Sequence, residues 1–318
     1  LKDPEAPCAH NRVTRNHIHH CGTLYWHSSA IAGGLSEKTV IRHNQIHDMP
    51  YVAISTSGQR HRWFAGWPRR REDLIAFWEE RGEGAPTIVK VKAFLPGYNR
   101  IEFNRVERVM LRLDDGAAIY CHAGHHNVVR NNFVCCTPRD GSHGLYFDDE
   151  ESFSLMEGNI VLRCPDRRHV QRGSALHIHN NAANTIRNNV FVGGDVLFTF
   201  PNSYGGHTVE RNVFVFSDRC RLRSHPAPVV GPGDGRRQDG WSCGPSVMDG
   251  NLYWSSRGAG PAERLVAALR RLGYAEHAIV ADPGLGDLET TPRVTPDAGP
   301  LRAIGFAAID LSAAGRSS

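Results

Sequence analysis

The chain predicts an all-β fold, a right-handed parallel β-helix, on three observations. One short pattern recurs: two or three apolar or β-branched residues, a few polar ones, then Asn, any residue and an apolar residue. It returns at intervals that suit one coil of a solenoid. Within each repeat the runs are short and β-rich, broken by Asn, Gly and Asp, whereas a helical solenoid needs two amphipathic helices per repeat.

The marker asparagines are Asn16, Asn44, Asn104, Asn132, Asn159, Asn189, Asn212 and Asn251, spaced by 28, 60, 28, 27, 30, 23 and 39 residues. Asn suits a coil corner because it tolerates left-handed backbone geometry. Its amide can also bond to the Asn one coil away, at the strand spacing of about 4.8 Å. These asparagines are therefore structural.

The 60-residue step equals two coils, or one coil with an insertion. Residues 58–98 read as the insertion, because RREDLIAFWEERG has helical apolar spacing and breaks at Gly and Pro. Its aromatics Trp63, Phe64, Trp67, Phe77, Trp78 and Tyr98 suit either a sugar-stacking lid or a satellite helix. HPAPVVGPGDGRRQDG, in the 39-residue step, is a surface loop by composition. Coils thus fill 1–256, and 257–318, opening with the amphipathic stretch GPAERLVAALRRLG, form a helix and tail that cap the last coil.

A length of 318 residues, 40% hydrophobic and 22% charged, fits an ordered globular chain with a sizeable core. A net charge of +4 is too mild to argue for nucleic acid, and no apolar run of about 18 residues is present to cross a membrane. The eight cysteines include no C-x-x-C pair, and Cys135 or Cys136 lies one repeat from Cys164, as stacked buried thiols would.

Two carboxylate-bearing segments stand out, LRLDDGAAIYCHAGHH at 111–126 and GSHGLYFDDEES at 141–152. They fall in consecutive coils. Glycoside hydrolysis needs one carboxylic acid to protonate the departing oxygen and one carboxylate as base or nucleophile, so Asp115 and Asp148 are the candidate catalytic pair. Counting back from the marker asparagines places Asp148 level with Cys121, within one residue, so Asp115 must fold back to approach it. A one-residue slip exchanges inside and outside, which leaves Asp114 and Asp149 as alternatives. Asp149, Tyr120, His122, His143, Tyr146, His177 and His179 are candidate substrate contacts; the histidines can donate to sugar hydroxyls or tune an Asp. HIH also puts two imidazoles on one face of a strand, although no metal ligand is assigned.

DGAAIY at 115–120 and GLYFDD at 144–149 resemble paired segments of glycoside hydrolase family 141-like β-helix proteins, of the pectin-lyase-like superfamily. NHIHHCG at 16–22, NQIHDMPYVAIS at 44–55, ADPGLGDL at 281–288 and IGFAAIDLSAAG at 304–315 extend the resemblance over nearly the whole chain. It implies a secreted or periplasmic enzyme, its signal peptide upstream of Leu1, acting on plant or algal glycans as fucosidase- or xylanase-like members do. It also implies two catalytic aspartates, at Asp115 and Asp148. Ala117, where the family usually has Gly, the Asp149-Glu150-Glu151 run and the insertion are departures.

The partner expected is a polysaccharide or oligosaccharide met by a monomer, without nucleic acid, membrane or cofactor. A polysaccharide lyase on the same fold is the alternative. It uses a Lys or Arg base and often Ca²⁺, which Asp148, Asp149, Glu150 and Glu151 could hold. No Lys follows Lys92, so that base would have to be Arg. A non-catalytic glycan-binding β-helix is the third reading.

Overall fold

A computed structural model describes residues 8–58, 97–164, 173–200, 206–223, 247–297 and 299–315. The chain is a parallel β-helix whose coils stack through long parallel sheets. One face is an eight-stranded sheet running from Arg12–Thr14 through Val40–Arg42, Arg100–Glu102, Val128–Arg130, Leu155–Glu157, Thr185–Arg187 and Thr208–Glu210 to Val247–Asp249. Each strand has three residues, and the middle one points inward: Ile41, Ile101, Val129, Met156, Ile186, Val209 and Met248 form one buried column. The alternation of strand side chains fixes this register, since a slip of one residue would put the flanking Arg and Glu inside.

The next face starts one corner later with His17–His19, Gln45–His47, Arg105–Glu107, Phe133–Cys135 and Ile160–Leu162. The corner differs from its sequence reading in one respect. The left-handed residue is the one before each marker: Arg15, His43, Phe103, Asn131, Gly158, Asn188, Arg211 and Gly250 all have φ between 52° and 66°. The marker asparagines turn their amides along the stack instead. Each Nδ2 from Asn16 to Asn212 donates to the Oδ1 of the next marker at 2.9–3.0 Å. The Asn44 to Asn104 bond makes the 60-residue step one coil with an insertion. Of that insertion, 59–96, with its expected helix and all the named aromatics except Tyr98, lie outside the described residues.

A second corner repeats the device with mixed residue types. Thr39, Asn99, Asn127, Ser154 and Asn184 each have their backbone N–H bonded to the side chain of the next member, ending at His207. Tyr98, His126, Phe153, Ala183 and Gly206 precede the last five members at positive φ. The chemistry is shared, but the changing letters hide the repeat.

The third face carries Ile31–Gly34, Ile54–Ser57, Gly116–His122, Ser142–Asp148 and Ser174–Ile178. In the next two coils a single strand, Val190–Thr199 and then Val213–Arg223, spans both faces and joins them into one fourteen-stranded sheet. Inward residues Ile54, Ile119, Leu145, Leu176 and Phe198 are in register, as are Cys121, Phe147 and Ile178. Alternation breaks at Gly144, which faces inward like its neighbour Leu145: a Cβ there would lie 2.7 Å from the Ala175 carbonyl oxygen and 2.8 Å from Val161 Cγ1. Gly144→Ala is therefore expected to destabilise the coil by about 1–3 kcal/mol, read as a lower urea midpoint.

Past Ser255, helix Ala259–Arg271 buries Ala262, Val266 and Leu269 against the last strands of the coil. These positions, i, i+4 and i+7, form one apolar stripe. The segment beyond it runs back over the outside of the solenoid. Leu288, Val294, Leu301, Ile304, Phe306, Ile309 and Leu311 bury Phe133, Ile160, Val190, Val213 and Leu252 in a second core. The tail reaches back to Phe103, whose carbonyl accepts the Gly315 N–H at 2.9 Å, and to His43, whose Nδ1 lies 3.0 Å from the Ala313 carbonyl oxygen. Cys135 and Cys136, read as stacked thiols, are instead disulfide-bonded to each other, while Cys164 is a buried thiol donating to the Leu162 carbonyl.

Candidate active site

Outward-facing positions of the third face line up across coils. Ser55, Tyr120, Tyr146, His177 and Thr199 form one row; Ser57, His122 and Asp148 form the next, with His179 just past the end of its strand. Asp148 is thus level with His122. The turn after Asp148 holds one residue more than the turn after His122, which is why counting from the asparagines misses by one.

Asp148 is 5% exposed and well provided with donors. Its Oδ2 accepts the Tyr120 hydroxyl at 2.7 Å, and its Oδ1 accepts His179 Nδ1 at 2.7 Å and the Asp149 N–H at 2.8 Å. Burial alone would raise its pKa, but the bonds from His179 and Tyr120 outweigh it and hold Asp148 below the ordinary carboxylate value. Asp149, equally covered, accepts Asn180 Nδ2 at 2.7 Å and lies 3.7 Å from His122 Nε2 and 3.8 Å from His179 Nδ1. The ligand atoms offered by His122, Asp148 and Asp149 lie within 4.8 Å of one another, so this group can hold a divalent cation, although the sequence reading assigned no metal ligand.

Aromatic rings surround the carboxylates. Tyr146 meets Tyr120 edge-on at 5.0 Å and His177 at 4.4 Å, and His143 stacks on His177 at 4.1 Å. Burial and the Asp148 charge push the Tyr120 and Tyr146 hydroxyls well above the usual range, so both stay protonated donors. Burial pushes His143 down to about 3, which keeps its ring neutral; its Nδ1 lies 2.7 Å from Ser174 Oγ. His143 reaches the outer face because of the break in alternation at Gly144.

Asp115 is placed elsewhere. Its N–H bonds to the Gly141 carbonyl and its own carbonyl accepts the Tyr51 hydroxyl at 2.8 Å, so it sits at the opposite end of the strand pair that ends in His122 and Asp148. Seven strand positions correspond to roughly 20 Å along an extended backbone. The charges of Asp115 and Asp148 both act on Tyr51, whose hydroxyl burial pushes up to about 12, and on Tyr146. Tyr51 was missed in the sequence; its place in NQIHDMPYVAIS, one coil before DGAAIY, was the available signal.

Glu151 leaves the acidic run and turns into the solenoid. It is fully buried, its Oε1 accepts Asn127 Nδ2 at 2.8 Å and the Ser154 hydroxyl, and its Oε2 has no hydrogen-bond partner among the described residues. The four acids of 148–151 are thus not one oxygen cage for Ca²⁺, because Glu151 is committed to the second corner ladder. Burial pushes Glu151 up to about 7. The folded state then holds its proton more tightly than the unfolded one, so this contribution to stability is full below about 4.5 and is lost as pH rises through about 7. Glu151→Gln is expected to flatten the fall in Tm over that window and to exceed the parent Tm at about pH 8.

Neither a protein-family model nor a curated protein matches the chain. Among solved structures, one titled "Glycoside hydrolase" is similar at 14% identity and a TM-score of 0.35, over 80% of this chain. The chain spans 26% of that structure's length. Among the described residues no helix is long and apolar enough to cross a membrane.

Proposed function

We propose that the chain is a glycoside hydrolase that cleaves a complex polysaccharide on the tyrosine- and histidine-lined third face. The observation that carries this reading is Asp148: an almost covered carboxylate kept ionised by Tyr120 and His179, with a second carboxylate beside it on an outward-facing row. Asp148 acts at the anomeric carbon. In this reading Asp149, the carboxylate beside it, takes the role of proton donor to the departing oxygen. One oxygen of each carboxylate lies within 4.8 Å of the other, and this reading takes direct attack by Asp148, a covalent glycosyl intermediate and retained configuration.

Tyr120, Tyr146, His122, His143, His177 and His179 supply ring faces and donors across three adjacent coils, an arrangement that suits a chain of sugars. Asp115, at the far end of the same strands, meets the polymer away from the bond broken. A plant or algal glycan met outside the cytoplasm, with fucosidase- or xylanase-like cleavage, completes the proposal.

The test is depolymerisation of a plant and algal cell-wall glycan panel, with reducing ends and the ultraviolet absorbance of unsaturated sugars read in the same wells. New reducing ends without that absorbance, lost in Asp148→Asn, are expected. Rising absorbance would make the enzyme a lyase, and glycan binding without cleavage would favour the non-catalytic reading.

A further inference from the structure

The first two coils carry a group of imidazoles on another sheet face, outside the site above. His17 and His19 flank the inward Ile18 and so project outward together, and His19 is level with His47 on the next coil. His17 Nε2 lies 2.7 Å from His47 Nε2, and His19 Nδ1 lies 2.8 Å from His20 Nδ1. The His19 and His47 rings stack at 4.9 Å. Ligand atoms of His20, His47 and Asp48 fall within 4.8 Å of one another.

We propose that His17 and His47, oriented by Asp48 and joined by one further imidazole from His19 or His20, form a binding site for one transition-metal cation of the Zn²⁺ or Ni²⁺ kind. The tautomer of His47 is the key. Asp48 Oδ2 accepts His47 Nδ1–H at 2.6 Å, which leaves the Nε2 lone pair of the neutral ring aimed at His17. A carboxylate behind a ligating imidazole is the usual outer support of such a site. Arg108 grips Asp48 through Nε and Nη2, both at 2.8 Å, so Asp48 is already charge-balanced and orients rather than ligates. The ligand set that remains is imidazole nitrogen, which selects Zn²⁺, Ni²⁺ or Cu²⁺ over Ca²⁺ and Mg²⁺.

The geometry asks for a small adjustment. Metal–nitrogen bonds of about 2.0–2.1 Å in a tetrahedral site put the nitrogens about 3.3 Å apart. The His17–His47 contact would open by roughly 0.6 Å to admit the ion, and His17 is exposed enough for its ring to retreat. His19, packed on His47, is next in line for a fourth position.

The full chain would be titrated with Co²⁺ and Zn²⁺, by visible absorption for Co²⁺ and calorimetry for both, beside His17→Ala, His47→Ala, Asp48→Asn and His122→Ala. One ion per chain at micromolar or tighter affinity is expected. His17→Ala and His47→Ala should weaken binding by at least about tenfold, and Asp48→Asn by about 10-fold, the lower end of the range for an outer-shell partner. His122→Ala should keep the tight binding, losing at most a weaker ion at the carboxylate site, and circular dichroism would establish that each variant is folded. The proposal is overturned if no ion binds below about 1 mM, or if folded His17→Ala and His47→Ala keep parental affinity while His122→Ala loses it, which would move the ion to the carboxylate site.

Discussion

Asp148→Asn is expected to lower kcat by about 10³-fold or more on the glycan found by the panel. An amide cannot attack the anomeric carbon, and it presents no charge to the positive centre that develops there. Asp149→Asn should cost about 10²–10⁴-fold, the range for a proton transfer supplied by a positioned side chain. It should cost less on substrates with a good leaving group, which need no proton. Asp115→Asn is expected to stay within about tenfold and to act mainly through KM, since an exposed carboxylate at the far end of the strands contributes binding rather than chemistry. The three values separate two arrangements of the carboxylates. Loss in Asp115→Asn as deep as in Asp148→Asn would mean that the working pair spans the strand, and the role given to Asp149 would fail. Product configuration, read by proton NMR early in the reaction, gives an independent check: inversion would contradict direct attack by Asp148. Because its donors hold Asp148 below the ordinary carboxylate value, the acid limb of the rate profile, which reports protonation of this nucleophile, should lie below that value.

Much of the coil architecture was legible because one letter stayed constant. Eight asparagines at coil-length spacing locate the corner, and the ladder they form in the structure is the interaction that makes the letter invariant across coils. The companion corner stayed hidden because a side-chain acceptor for the preceding coil's backbone N–H can be Asn, Ser or His, so its chemistry repeats while its letters do not. The left-handed residue was misplaced by one position for a related reason: Asn tolerates that geometry, but the ladder needs its amide aligned with the stack, and the preceding residue bends the chain. The outer apolar layer left a trace that periodicity alone does not interpret. Phe133-Val134-Cys135, Ile160-Val161-Leu162 and Val190-Phe191-Val192 are apolar at consecutive positions, as in strands covered on both sides, and the cover is the segment reaching from Leu288 to Leu311. In the site, the sequence offered the two aspartate segments as neighbours in successive coils. It could not give the row on which each side chain lies, because a turn longer by one residue displaces Asp148 from Cys121 to His122. That single step puts Asp148 on the outward row, where Tyr120 and His179 meet it.

The largest stability effect is expected at Asn132. Its Oδ1 accepts the backbone N–H and the Nδ2 of Asn104, both at 3.0 Å, and its Nδ2 donates to Asn159 Oδ1, Ile101 O and Arg130 O. The residue is fully buried, so water cannot replace these partners. Asn132→Ala strands a backbone N–H and an amide hydrogen on the preceding coil and leaves acceptors short on that coil, its own and the next. Each buried polar group left unpaired costs about 1–3 kcal/mol, so a loss of about 3 kcal/mol or more is expected. The matching change at the first marker provides the scale. Asn16 is exposed, and its side chain donates to Asn44 Oδ1 and Thr14 O, so Asn16→Ala should cost about 1 kcal/mol or less. Neighbouring coils lean on one another in a solenoid, so urea midpoints are the better comparison if unfolding departs from two states. If both substitutions shift the midpoint equally little, the coils are held by their inward columns and the ladder only follows the register; a deep loss at Asn132 alone makes the ladder the element that sets it.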